Sequence, residues 1–173
     1  MKRAVLVAAA GAVLGFLAES VHRRAGVWVL TGGGSLPLWI GPVYFAGLLG
    51  AVLALARFER RRPGALGRPN LVFEAALLVA LFLAPPLLHQ HELRLAGLAL
   101  AVLFARLGLA RAPGDVTVAL LVAAADLGIE GALVAADLFR YENASLGPFP
   151  LWLAPLWAAM APSLRRIFAA LQR

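Results

Sequence analysis

The chain has 173 residues, 62% of them hydrophobic and only 14% charged, with a formal net charge of +7 and a pI near 11.4. Soluble domains are about half apolar and about a quarter charged, so a soluble core cannot absorb this surplus, whereas the short aqueous loops of a bilayer protein suit so few charges. The basic residues form no aromatic-interleaved patch, so no nucleic-acid partner is expected, and the absence of cysteine excludes disulfides, thiolate catalysis and Cys-ligated zinc or iron–sulfur centres.

A spanning helix needs about 17 to 25 largely apolar residues. Breaking the chain at charge and Gly/Pro clusters leaves six such segments: Ala4 to Ser20, Leu36 to Ala56, Leu71 to Leu88, Leu93 to Ala110, Val116 to Leu138 and Pro148 to Leu164. The first follows Met1-Lys2-Arg3 like a secretory signal, but bulky Phe16 does not suit cleavage, so it reads as a retained helix. His89-Gln90-His91-Glu92 makes a hairpin of the third and fourth segments. The expected fold is all-α, a single transmembrane bundle over residues 1–173.

Positive residues are retained on the cytoplasmic side of short loops. Lys2, Arg3, Arg57, Arg60, Arg61, Arg62, Arg68, Arg106, Arg111, Arg165, Arg166 and Arg173 fall on one side, against Arg23, Arg24, Arg94 and Arg140 on the other. Both termini are therefore expected in the cytoplasm, in the inner membrane of a bacterium. Trp28, Trp39, Trp152 and Trp157 then lie on the outer side, where indoles favour the headgroup layer.

Glu19 and Trp28 match Glu130 and Phe139 at an offset of 111 residues, and Pro37-Leu38-Trp39-Ile40-Gly41-Pro42-Val43-Tyr44 matches Pro150-Leu151-Trp152-Leu153-Ala154-Pro155-Leu156-Trp157 at 113. The first and last helix pairs thus read as a parallel repeat, both copies in one orientation.

In the fifth segment, Asp126, Glu130 and Asp137 share a helical face and make an acidic stripe. An intramembrane carboxyl costs on the order of 3 kcal/mol to insert, so the stripe should face the bundle or a wet cavity. It reads as a ligand site or ion path, or as carboxyls hydrogen-bonded between helices. Glu19, His22, His91 and Glu92, with His89, collect on the outer side and are weak candidates for catalysis or zinc ligation. His-x-His alone is common in solvated loops, so no metal and no cofactor are called for.

Pro42 and Pro155 are placed about one turn inside helices two and six, where each would leave the carbonyl of Leu38 or Leu151 without its helical donor. Gly11 with Gly15, and Gly128 with Ala124 and Ala132, offer small faces for close helix contact. Glu74 complements the N-terminus of helix three.

Ala25-Gly26-Val27-Trp28 followed by Pro37-Leu38-Trp39-Ile40-Gly41-Pro42-Val43-Tyr44-Phe45-Ala46-Gly47 resembles the late-loop and final-helix pattern of the Insig family. The segment from Phe139-Arg140-Tyr141 to Trp157 is similar again, and also resembles the C-terminal hairpin of a family of small bacterial membrane proteins. The Insig resemblance covers under half of the chain. It implies a six-helix bundle that holds a sterol or glycerolipid between helices without catalysis. Trp39, Pro42 and Tyr44, echoed by Trp152 and Pro155, would be its site residues. The acidic stripe departs from that pattern and puts a purely apolar ligand in doubt.

The leading expectation is a binder of a lipid, sterol-like or other hydrophobic small molecule, gripped at its polar end by a carboxylate. A proton- or ion-coupled transporter and a membrane-embedded enzyme acting on a lipid or isoprenoid are the alternatives. A homo-oligomer or a membrane-protein partner is compatible with either.

Overall fold

The computed structural model describes residues 2–33, 37–61, 66, 69–109 and 111–172. Six helices follow in order: α1 (Lys2–Arg24), α2 (Ile40–Arg60), α3 (Leu71–Leu88), α4 (Glu92–Leu109), α5 (Asp115–Ala135) and α6 (Leu153–Gln172). Two three-residue strands, β1 (Trp28–Leu30) and β2 (Phe139–Tyr141), pair antiparallel, and an isolated bridge joins Leu146 and Phe149. The expected start of helix two at Leu36, together with Arg62, Arg68 and Arg173, lies outside the described residues.

By length and composition, α1 from Ala4, α2, α3 and α5 can each cross a membrane. Leu6, Val72, Leu87 and Leu120 on these helices are 69, 80, 78 and 67% exposed, an apolar outer surface that only hydrocarbon would solvate well. The helix α6 is different because it packs against every other helix. Its Ala158, Ala159, Ala161, Ser163, Arg165 and Arg166 are buried, so this helix meets protein rather than lipid and tolerates polar residues.

That position corrects the expected end of helix six at Leu164. The helix continues through Arg165 and Arg166 to Gln172 because both guanidinium groups find carboxylates inside the bundle. Asp115 accepts from Arg165 Nη1 and Arg166 Nη2 at 2.8 Å each, and from the Ala112 amide at 2.8 Å. Glu59 accepts from Arg165 Nε at 2.6 Å. Both oxygens of Glu74 accept from Arg106 at 2.8 Å, and Ser163 Oγ donates to one of them at 2.6 Å. Glu74 therefore belongs to a buried ion network joining five helices, rather than serving only its own helix end. Arg106, Arg165 and Arg166 are interior partners, not loop charges.

The prolines also sit elsewhere than expected. Helix α2 starts at Ile40 and α6 at Leu153, so Pro42 and Pro155 occupy the first turn, where a missing N–H leaves no bond unmade. The Leu38 carbonyl accepts from the Gly41 amide at 3.3 Å. Interior prolines are Pro85, Pro86 and Pro162.

Gly11 and Gly15 make the close contact expected of them: a Cβ at these positions would lie 2.8 Å from Leu48 Cδ1 and 3.0 Å from Tyr44 Cδ1, so α1 and α2 meet tightly. The corresponding face of α5 does not. Gly128 has open space around it, and Ala124 and Ala132 are exposed.

Helices α1 and α5 end alike. At α1 the Val27 amide donates to His22 and the Gly26 amide to Arg23; at α5 the Leu138 amide donates to Leu133 and the Asp137 amide to Val134. Both are left-handed helix stops, with Gly26 at φ 77° and Asp137 at φ 55°. The strands follow at once, Trp28 opposite Tyr141, Val29 opposite Arg140 and Leu30 opposite Phe139. Asp137 is thus a capping residue beyond the end of α5 and exposed, which removes it from the expected acidic stripe.

Candidate functional site: an acidic, aromatic-walled cavity

A cavity of about 300 Å³ lies between α1, α2, α5 and α6 and is roofed by the β1–β2 ladder. Its volume is at the lower end of small-ligand sites, which run from roughly 300 to 1,000 Å³. Leu48, Leu55, Val118, Val122, Leu164 and Phe168 are among its apolar lining, towards the end that carries the ion network. Towards the ladder the lining changes to carboxyls and aromatic rings.

Three acids line that end: Glu19 from α1, and Asp126 and Glu130 from α5. Trp28 Nε1 donates to Glu19 at 2.8 Å and Tyr44 OH donates to its other oxygen at 2.5 Å. Tyr141 OH donates to Glu130 at 2.8 Å. Burial and the neighbouring Glu130 carboxyl push the Tyr141 phenol well above its ordinary pKa, so it remains a donor. Asp126, one turn from Glu130, has an oxygen Oδ2 that is buried and has no partner. Trp152, 3% exposed, likewise has an unpartnered Nε1.

The rings form a continuous wall. Trp28 meets Phe139 at 5.4 Å between centroids, Phe139 meets Tyr141 edge-on at 5.6 Å, and Tyr141 meets Trp152 edge-on at 6.1 Å. His22 Nε2 lies 2.7 Å from the Phe82 carbonyl oxygen, its ring stacked on Phe82 at 5.1 Å, and its Nδ1 is 4.0 Å from Glu19.

Of the residues singled out in sequence, Glu19, His22, Trp39, Tyr44, Asp126, Glu130 and Trp152 are brought to this one cavity. Pro42, Pro155 and Asp137 do not line it. The outer acid–base group does not assemble: Glu92 accepts from Ser145 Oγ and from the Leu151 amide at 3.1 Å, His91 is exposed, and His89 Nδ1 lies 3.1 Å from the Pro85 oxygen. Among the described residues no cluster of three potential metal ligands occurs. Trp28 and Trp152 are buried cavity walls rather than headgroup anchors, and the Trp28 N–H finds its acceptor, Glu19, inside the bundle. The role of Tyr141 escaped the sequence reading, since a tyrosine in a loop carries no periodic signal.

A helical bundle with an apolar surface and a polar-ended cavity between its helices defines a polytopic membrane protein. The chain belongs to the family described as protein of unknown function DUF2878, matched over residues 71–173. No curated protein matches it. Among solved structures it is similar to a mycobacterial Insig homologue, MvINS from Mycobacterium vanbaalenii, at 22% identity and a TM-score of 0.75, over 100% of this chain and 96% of that one. A cross-linked trimer of a variant of MvINS matches at 24% identity and a TM-score of 0.73, over 98% and 95% of the two chains. The fold is therefore Insig-like, as the loop-and-helix pattern in the sequence implied.

Proposed function

We propose that this protein binds a lipid, sterol-like or other hydrophobic small molecule in the cavity beneath the ladder, holding the apolar body against α2, α5 and α6 and the polar end against Glu19, Asp126 and Glu130. The observation that carries this reading is the division of one cavity into an aliphatic end and an acidic, aromatic end, the usual make-up of a site for an amphiphile. The protein sits in the cytoplasmic membrane with both termini inside and the ladder towards the outside. Its halves α1–β1–α2 and α5–β2–α6 are a parallel repeat, supported by equivalent helix stops at Gly26 and Asp137 and by strands 111 residues apart, Trp28–Leu30 and Phe139–Tyr141.

Native mass spectrometry of gently solubilised protein tests the binding reading, wild type beside Asp126→Asn/Glu130→Gln. A stoichiometric lipid or small molecule, lost from the double variant, is expected. An empty bundle in both would overturn it.

The buried, unpartnered Asp126 oxygen favours a second reading, a proton- or ion-coupled carrier. Vesicle flux that survives Asp126→Asn/Glu130→Gln would exclude it.

A further inference from the structure

The two ends of the bundle treat buried acids in opposite ways. Around Asp115, Glu59 and Glu74 every carboxylate meets a guanidinium at 2.6 to 2.8 Å. Around the cavity, Glu19, Asp126 and Glu130 line one space in which, among the described residues, no lysine or arginine takes part. The basic side chain that lines it among the described residues is His22, 4.0 Å from Glu19. A carboxylate sunk in the bundle without a countercharge is costly, and a cationic occupant would relieve that cost.

From this contrast, together with the two orphaned atoms on the cavity wall, we infer that the occupant is a long-chain amine with an oxygen beside the nitrogen, an amino-alcohol head. This rests on the cavity-binding reading. The ammonium supplies the missing positive charge and donates to Asp126 Oδ2 and Glu130. The adjacent oxygen accepts from Trp152 Nε1, a buried indole N–H on the wall without a partner. The rings of Trp28 and Tyr141 line the same space, and aromatic rings attract a cation set against them. A phosphate-bearing head is disfavoured, because its anion would meet the three carboxyls.

The test uses the full chain in phosphatidylcholine nanodiscs, with empty nanodiscs subtracted, and equilibrium binding of radiolabelled 2-amino-1-dodecanol, dodecylamine, dodecanol and dodecyl phosphate. The amino alcohol should bind about tenfold or more tightly than dodecanol, and dodecyl phosphate should be excluded. In Asp126→Asn/Glu130→Gln the advantage should fall below about threefold while dodecanol still binds, which shows that the variant retains its cavity. Trp152→Phe should weaken the amino alcohol several-fold and leave dodecylamine unchanged. Equal binding of dodecanol and the amino alcohol to the wild type would overturn the amine while leaving an apolar site in place. No probe bound above empty nanodiscs would overturn both the amine and the binding reading.

Discussion

Trp28 and Tyr141 face each other across the β1–β2 ladder, and each donates to the carboxyl of its own half, Trp28 to Glu19 and Tyr141 to Glu130. The ladder therefore does more than join two loops. It fixes the height and orientation of two acids that sit on helices from opposite ends of the sequence.

Removing one of these donors should be felt in stability. Tyr141→Phe leaves Glu130 Oε2 without its phenol, and Trp28→Phe leaves a Glu19 oxygen unmet, each at a cost of about 1–3 kcal/mol. Thermal unfolding in detergent should show both midpoints lowered. Adding Glu130→Gln to Tyr141→Phe should cost less than the two changes separately, because they share one bond.

The ion network predicts a larger effect. Asp115→Ala leaves Arg165 Nη1 and Arg166 Nη2 without the acceptor they share, and breaking a buried pair costs about 3–5 kcal/mol. The yield of folded protein after solubilisation should drop sharply, whereas Arg111→Ala, at an exposed position, should leave it unchanged.

The two helix stops make an opposed pair of predictions. Asp137 holds φ 55°, a conformation that costs a residue with a Cβ about 1 kcal/mol or more, so Asp137→Gly should raise the unfolding midpoint. Gly26→Ala, at φ 77°, should lower it by a comparable amount.

Because the sequence contains no cysteine, single cysteines report topology cleanly. With both termini inside, Lys2→Cys in intact cells should resist a membrane-impermeant maleimide and His91→Cys should react. The reverse pattern would invert the orientation proposed for the bundle.

Much of the architecture was legible in the chain because hydrophobic runs and their breaks are local signals; α3 starts and stops at the residues read from sequence. The end of α6 was not, since Arg165 and Arg166 look the same whether they face water or Asp115, and only tertiary packing decides between the two. Asp126 and Glu130 were visible as a turn-spaced acidic pair, but helical phase alone could not show that Asp137 falls past the helix stop. Glu19 carried a sequence signal of its own, its 111-residue match to Glu130. Tyr141 and Trp152 acquire their place through contacts distant in sequence, which no local pattern records.

The tight packing of Gly15 against Tyr44 has a consequence for direction. Gly15 stands 111 residues before Asp126, so in the proposed repeat it is the position at which the first half would carry the same acid. A side chain there would run into the Tyr44 ring, 3.0 Å from the first carbon added. The cavity thus has one carboxyl, Glu19, on its α1 flank and two, Asp126 and Glu130, on its α5 flank. An occupant turned through half a rotation would therefore meet a different set of acids, so the cavity favours one facing of an unsymmetrical head over the other.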